Sequence, residues 1–263
     1  MRRPLLLLAL AAVVYLGAAY VPQLRAADAH ALYGFIGLTT LPGAGRTLEL
    51  ISLFDPAPFA ALTLLIVALG VLFGRVRAGL LGAGMMVAAE VSAQVLKPLL
   101  AVQRDVPFLE PAAWPSGHTT AVMGFALALA IVAPPRLRPY AVAAGALLTV
   151  LTVNALLMAG SHYPSDVLGG LLLASAWASG AVLLLGEEER VTVRGPLLAS
   201  GALFALFALA VLPRVDAAVD YAIANTTFAL GALTIAAAAL VLSGSVPAPT
   251  GARRRLPPDS PRG

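Results

Sequence analysis

The 263 residues contain no cysteine, which excludes disulfides, thiolate metal sites and a cysteine nucleophile. Charge is scarce too: Asp, Glu, Lys and Arg make up 11% of the chain, where a soluble domain carries roughly a quarter. Histidine occurs three times, at His30, His118 and His162, too few for most histidine-rich metal centres. What remains is mostly hydrocarbon. Hydrophobic residues account for 60% of the chain and the mean hydropathy is +0.90. The chain is therefore expected to be an all-α, polytopic membrane protein. Its formal charge of +4 does not indicate nucleic acid, because basic residues in such a protein report topology.

Apolar runs long enough to cross a bilayer of ~30 Å lie at about 4–21, 57–74, 79–100, 117–133, 140–160, 167–185, 197–213 and 228–245. Eight spans with a cytoplasmic N-terminus put twelve arginines inside: Arg2, Arg3, Arg75, Arg77, Arg136, Arg138, Arg190, Arg194, Arg253, Arg254, Arg255 and Arg262. The outside then holds five cations, Arg25, Arg46, Lys97, Arg104 and Arg214. That bias is what the positive-inside rule requires, and it places both termini in the cytoplasm. The N-terminus resembles a secretory signal, with Arg2 and Arg3 before an apolar stretch and small residues near Ala29–Ala31. Its apolar stretch exceeds a usual signal core, so a retained first helix is expected.

Three regions follow from this division. Residues 1–186 form a core whose motifs fall within 97–166, residues 187–246 an additional transmembrane hairpin, and residues 247–263 a Pro-rich, basic, disordered cytoplasmic tail. Within the core, the outer segment between the first two spans has Gly and Pro breaks and reads as short interfacial helices. His30 lies there and reads as a surface histidine without a role.

Three polar patches fall at helix ends on the outer side: Lys97 with Arg104, then "WPSGHTT" at 114–120, then "GSHYPSD" at 160–166. Each has a bland account. The cations could snorkel to headgroups, Ser116 could be an ordinary N-cap, and His162 with Asp166 could be an interfacial pair. None of these explains why all three share one face. Lys97 and Arg104 are seven apart, so a continuous helix would bring them to one side, although Pro98 weakens it. Two cations suit an anion, and the arginine fork suits phosphate. Ser116 and Gly117 open a helix whose free N–H groups favour an anion. His118 stands in that first turn, placed to protonate a departing oxygen. His162 and Asp166 are at i, i+4, where a carboxylate can fix the imidazole tautomer and leave the other nitrogen as a nucleophile. Together these are the parts for phosphoryl transfer through a phosphohistidine, with no metal or other cofactor required.

These residues resemble the type 2 phosphatidic acid phosphatase (PAP2) family, whose fold is shared by vanadium haloperoxidases. That family reads K-x6-R-P, P-S-G-H and S-R-x5-H-x3-D; Lys97-x6-Arg104, Pro115-Ser116-Gly117-His118 and His162-x3-Asp166 match in order. The resemblance covers about residues 57–186. It implies a PAP2-like six-helix core and a lipid phosphate or diphosphate as substrate: polyprenyl diphosphate, phosphatidate or phosphatidylglycerol phosphate. It also implies His162 as nucleophile, Asp166 as its orienter and His118 as general acid. Lys97, Arg104, Ser116 and the Gly117 backbone would hold the phosphate.

Two positions depart from the pattern. Asp105 replaces the proline, and Ala155–Leu156 stand where Ser-Arg should be. Loss of that cation is expected to slow turnover, Leu156→Arg to restore it, and Arg25, Arg46 or Arg214 are the cations that could reach in instead. Further along the third span, Glu90, Gln94 and Lys97 form an i, i+4, i+7 stripe expected to face the bundle interior. A catalytically weakened lipid-phosphate binder is the alternative reading. A transporter is a weaker one, because transport sites lie near the midplane.

Overall fold

The computed structural model describes residues 2–40, 44–186 and 194–245. It is helical throughout, with no strand among the described residues. In chain order the helices are α1 (Arg2–Tyr20), α2 (Pro22–Gly37), α3 (Ala44–Leu48), α4 (Pro56–Leu72), α5 (Val76–Leu99), α6 (Gly117–Val132), α7 (Arg138–Met158), α8 (Pro164–Leu185), α9 (Arg194–Val211), α10 (Val215–Ala224) and α11 (Thr226–Gly244). Every apolar run expected from the sequence coincides with a helix. Six are long and apolar enough to cross a membrane: α1, α5, α7, α8, α11 and the stretch Arg194–Ala224. Gly45–Phe54 and Pro56–Leu72 make a broken pair bent by 64°. The basic tail lies outside the described residues.

α6 is the hub. It packs against α4, α5, α7, α8 and α11, and every one of its residues is buried except His118 and Leu129. Sixteen residues rise only ~24 Å, so α6 depends on being enclosed by longer neighbours. The interfacial segment forms α2, α3 and short 3-10 turns, as expected. α2 does not float free: it packs against α1, α7, α8 and α11. α1 leans on α8. Its Tyr15 hydroxyl donates to the Leu100 carbonyl at 3.1 Å, and its ring lies 5.0 Å from that of Trp114.

Lys97 and Arg104 are not on one continuous helix. α5 ends at Leu99, with Pro98 in its last turn, and Arg104 belongs to the irregular loop that leads to α6. Pro98 lacks an N–H and crowds the preceding turn, and Val102 N–H then bonds across the loop to the Pro111 carbonyl at 3.1 Å. This loop, the first turn of α6, the α7–α8 turn and α2 meet at one end of the bundle. The unusual polar residues collect there.

Candidate active site

The α7–α8 turn is built to present His162. α7 ends in a Schellman motif: Gly160 adopts φ +67°, its N–H bonds the Leu157 carbonyl at 3.0 Å, and Ser161 N–H bonds the Leu156 carbonyl at 3.2 Å. Only glycine takes that backbone angle without cost. The chain then passes through His162 and Tyr163 and restarts as α8, with Pro164 in its first turn. One oxygen of Asp166 accepts the Tyr163 N–H at 2.9 Å and so caps the new helix from its own third position.

The other oxygen of Asp166 takes a short hydrogen bond from the Arg104 guanidinium. Asp166 is fully buried, and its backbone carbonyl accepts the Ser116 N–H at 3.0 Å. One residue therefore joins all three polar patches. His162 Nδ1 lies 3.7 Å from Asp166 Oδ2. That is an ion-pair distance, too long for a hydrogen bond, and Nδ1 is buried with no other partner.

Arg104 is held from several directions. Its guanidinium lies 3.7 Å above the Tyr163 ring and donates to Ser165 Oγ at 2.9 Å and Asp28 Oδ2 at 3.3 Å. Only 7% of the side chain is exposed. Tyr163 in turn accepts the Val106 N–H on its hydroxyl at 2.8 Å, which pins the loop beyond Arg104.

At α6, Ser116 is the N-cap: its Oγ accepts Thr119 N–H at 3.3 Å and Thr119 Oγ1–H at 3.0 Å, and it is completely buried. Gly117 faces the α5 stripe. A Cβ there would stand 2.8 Å from Gln94 Nε2, 3.0 Å from Glu90 Oε1 and 3.4 Å from Lys97 Nζ. Gln94 Nε2 donates to Glu90 Oε1 at 2.6 Å; Gln94 is exposed, whereas Glu90 and Lys97 are half-buried beside Gly117. His118 Nε2 lies 3.3 Å from Asp55 Oδ1, at the residue that precedes α4.

Two participants escaped the sequence reading, Asp55 and Asp28. Asp55 carried a weak signal, an acidic residue before Pro56 at a helix start. Asp28 carried none beyond being a rare charge in an apolar chain. Its carboxyl is pushed up to about 6, first by burial and then by the charge of Asp166, while Ser165 and Arg104 pull it back. Of the three outer-loop cations, Arg25 binds Asp105 at 2.8 Å; Arg46 and Arg214 are exposed.

Residues 83–190 match the PAP2 superfamily model, and this stretch takes in every motif residue from Lys97 to Asp166. No curated protein matches the chain. Its fold is similar to the crystal structure of a transmembrane PAP2-type phosphatidylglycerolphosphate phosphatase from Bacillus subtilis. The TM-score is 0.57 and the identity 18%, over 71% of this chain and 97% of that one. Three ordered motifs thus meet at one end of a helical bundle, inside the stretch that matches the PAP2 superfamily model, in a chain with the fold of a polytopic helical membrane protein.

Proposed function

We propose that this protein hydrolyses a lipid phosphate or diphosphate at the extracytoplasmic face of the membrane, through a phosphohistidine on His162. The observation that carries the reading is Asp166, fully buried, clamped by Arg104 and the Tyr163 N–H, and standing next to His162 Nδ1. With substrate bound, closure of that gap keeps the proton on Nδ1 and leaves Nε2 free to attack phosphorus. The bond to the leaving oxygen breaks as His118 delivers a proton to it. Water then attacks the phosphohistidine, gives its proton to His118, and inorganic phosphate departs with His162 restored. Lys97 and the N–H groups that open α6 are placed to hold the phosphoryl oxygens. Asp55 holds the His118 ring.

A lipid tail has somewhere to lie. An apolar cavity of about 290 Å³ runs beside Leu53 and Phe54, just before Asp55, and is walled by Pro58, Leu62, Phe125 and Leu148. A chain seated there would end near His118.

The test is phosphate release by purified protein from phosphatidate, phosphatidylglycerol phosphate and polyprenyl diphosphate, beside His162→Ala and His118→Ala. Release that falls by about 10²- to 10⁴-fold in each variant is expected. Activity that survives His162→Ala sinks the phosphohistidine. A second reading, a lipid-phosphate binder without turnover, draws on Leu156 in the arginine position and on Arg104 being engaged by two carboxylates. Binding of these lipids with no release from any of them selects that reading.

A further inference from the structure

Asp28 lies on α2, 76 residues before Arg104 and outside every motif. Its side chain is 9% exposed, and a buried carboxylate is costly unless its oxygens are satisfied. Both are. Oδ1 accepts the Ser165 N–H at 3.0 Å, and Oδ2 accepts the Ser165 hydroxyl and the Arg104 guanidinium. The Ser165 N–H is one of the donors that the first turn of α8 leaves without a helical partner, so Asp28 caps α8 from another helix. The guanidinium that it grips is the one bound to Asp166. Two carboxylates thus flank one cation, with the Tyr163 ring under it.

α2 makes a second contact with the same loop. Arg25, three residues earlier and on the same helical face, pairs with Asp105. Consecutive loop residues are therefore matched by crossed charges, Asp28 to Arg104 and Arg25 to Asp105. The pairs differ in burial: Arg25 and Asp105 are 37% and 35% exposed, whereas Arg104 and Asp28 are 7% and 9%. The exposed pair contributes little, as solvent-screened pairs do, and α2 is seated instead by its packing on α1, α7, α8 and α11. The buried pair is the one that touches the reacting machinery through Asp166.

α2 is itself seated by the C-terminal hairpin. Tyr221 donates its hydroxyl hydrogen to the Gly34 carbonyl, and Phe228 meets Phe35 edge-on at 4.8 Å.

We propose that Asp28 is a positioning residue of the active site: it fixes the Arg104 guanidinium between Ser165 and Asp166, and so sets the carboxylate that orients His162. The C-terminal hairpin serves the site by holding the helix that carries Asp28. This inference rests on the phosphatase reading above.

The test uses the full chain in mixed micelles, with phosphate release from dioctanoyl phosphatidate and a short polyprenyl diphosphate, for wild type, Asp28→Asn, Asp28→Ala and Asp105→Asn. Asp28→Asn keeps shape and acceptor capacity on one side but loses the charge. It should lower kcat about tenfold, the scale of a small misplacement of a catalytic group, with KM within about twofold. Asp28→Ala should lose more, and Asp105→Asn should match the wild type. Wild-type kcat in Asp28→Asn, or an equal loss in Asp105→Asn, overturns the proposal. If the wild type releases no phosphate, the phosphatase reading fails instead. Peptide-resolved carbethoxylation of His162 then decides: a faster rate in Asp28→Asn than in the wild type and Asp105→Asn supports positioning, and an unchanged rate overturns it.

Discussion

Leu156 occupies the place where the family pattern has a cation, and the structure changes what should follow from restoring one. The residue is 1% exposed, and its carbonyl accepts the Ser161 N–H in the turn before His162. An arginine there must find a partner or bury an unpaired charge, which costs several kcal/mol. Arg104 already supplies a guanidinium to Asp166. Leu156→Arg is therefore expected to lower the unfolding temperature and leave turnover no higher, while the volume-conserving Leu156→Met stays near wild type. Faster phosphate release from Leu156→Arg would show that the cation was a real deficit. Asp28 offers a second residue-scale prediction. Its pKa rises on folding from 3.8 to about 6, so its stabilising contribution is whole below pH about 4 and is lost as pH climbs through about 6. That difference corresponds to about 3 kcal/mol. The groups facing it are Arg104 and Asp166. Asp28→Asn should thus gain stability relative to wild type between pH 4 and 7, read as the difference between the two unfolding curves. A pH-independent difference would count against the burial argument. Gly117→Ala is the third. Its methyl would press on Gln94 and Glu90 beside Lys97, and α6 cannot retreat because it is enclosed. Phosphate release should fall at least tenfold by the same misplacement argument, with the helical circular dichroism unchanged.

At the scale of elements, the helices were legible because a period of apolar residues reports hydrocarbon whatever surrounds it. The α7–α8 turn was legible for a similar reason: Gly160, Pro164 and Asp166 carry local signals for a helix end and a helix start. The α5–α6 loop was not. Seven-residue spacing suggested one helix face for Lys97 and Arg104; Pro98 marked the weak point, but the path of the loop after Leu99 is set by a bond from Val102 to Pro111 and by Tyr163 holding Val106, partners that no local pattern names. Asp28 was invisible on the same ground, and Asp55 showed only as an acidic helix start, since each acquires its place in the site through a residue more than sixty positions away. The C-terminal hairpin had no derivable role in sequence either. Its contact with α2 gives it one that can be measured. Phe228→Ala removes the ring that meets Phe35 and Tyr221 at 4.8 and 5.6 Å. Faster hydrogen exchange over 22–37 should accompany a drop in kcat in that variant, with exchange in α5 and α6 unchanged. Normal exchange in α2 would detach the hairpin from the site.

For the molecule as a whole, the arrangement of charge and the arrangement of chemistry agree on one orientation. All the motif residues, with Asp28 and Asp55, gather at the end of the bundle formed by the α5–α6 loop, the α7–α8 turn and α2. The opposite connections, 73–78 and 133–139, carry Arg75, Arg77, Arg136 and Arg138. If cations are held on the cytoplasmic side during insertion, that end stays inside, and the expected orientation has the site end facing out. Arg138 shows that the inner cations also serve packing: it is 2% exposed, and its Nε donates to the Ala130 carbonyl at the C-terminal end of α6, where a cation also meets the negative pole of the helix. A reversed insertion would have to drag these charges across the bilayer along with four helix ends. The absence of cysteine makes the orientation directly testable, because a single introduced thiol is the sole maleimide target. Ala101→Cys sits exposed in the α5–α6 loop, and Arg136→Cys sits exposed between α6 and α7. A membrane-impermeant maleimide added to intact cells should label the first and spare the second until the membrane is permeabilised. Labelling of Arg136→Cys alone would put the site in the cytoplasm, and with it the pool of lipid phosphates that the enzyme can reach.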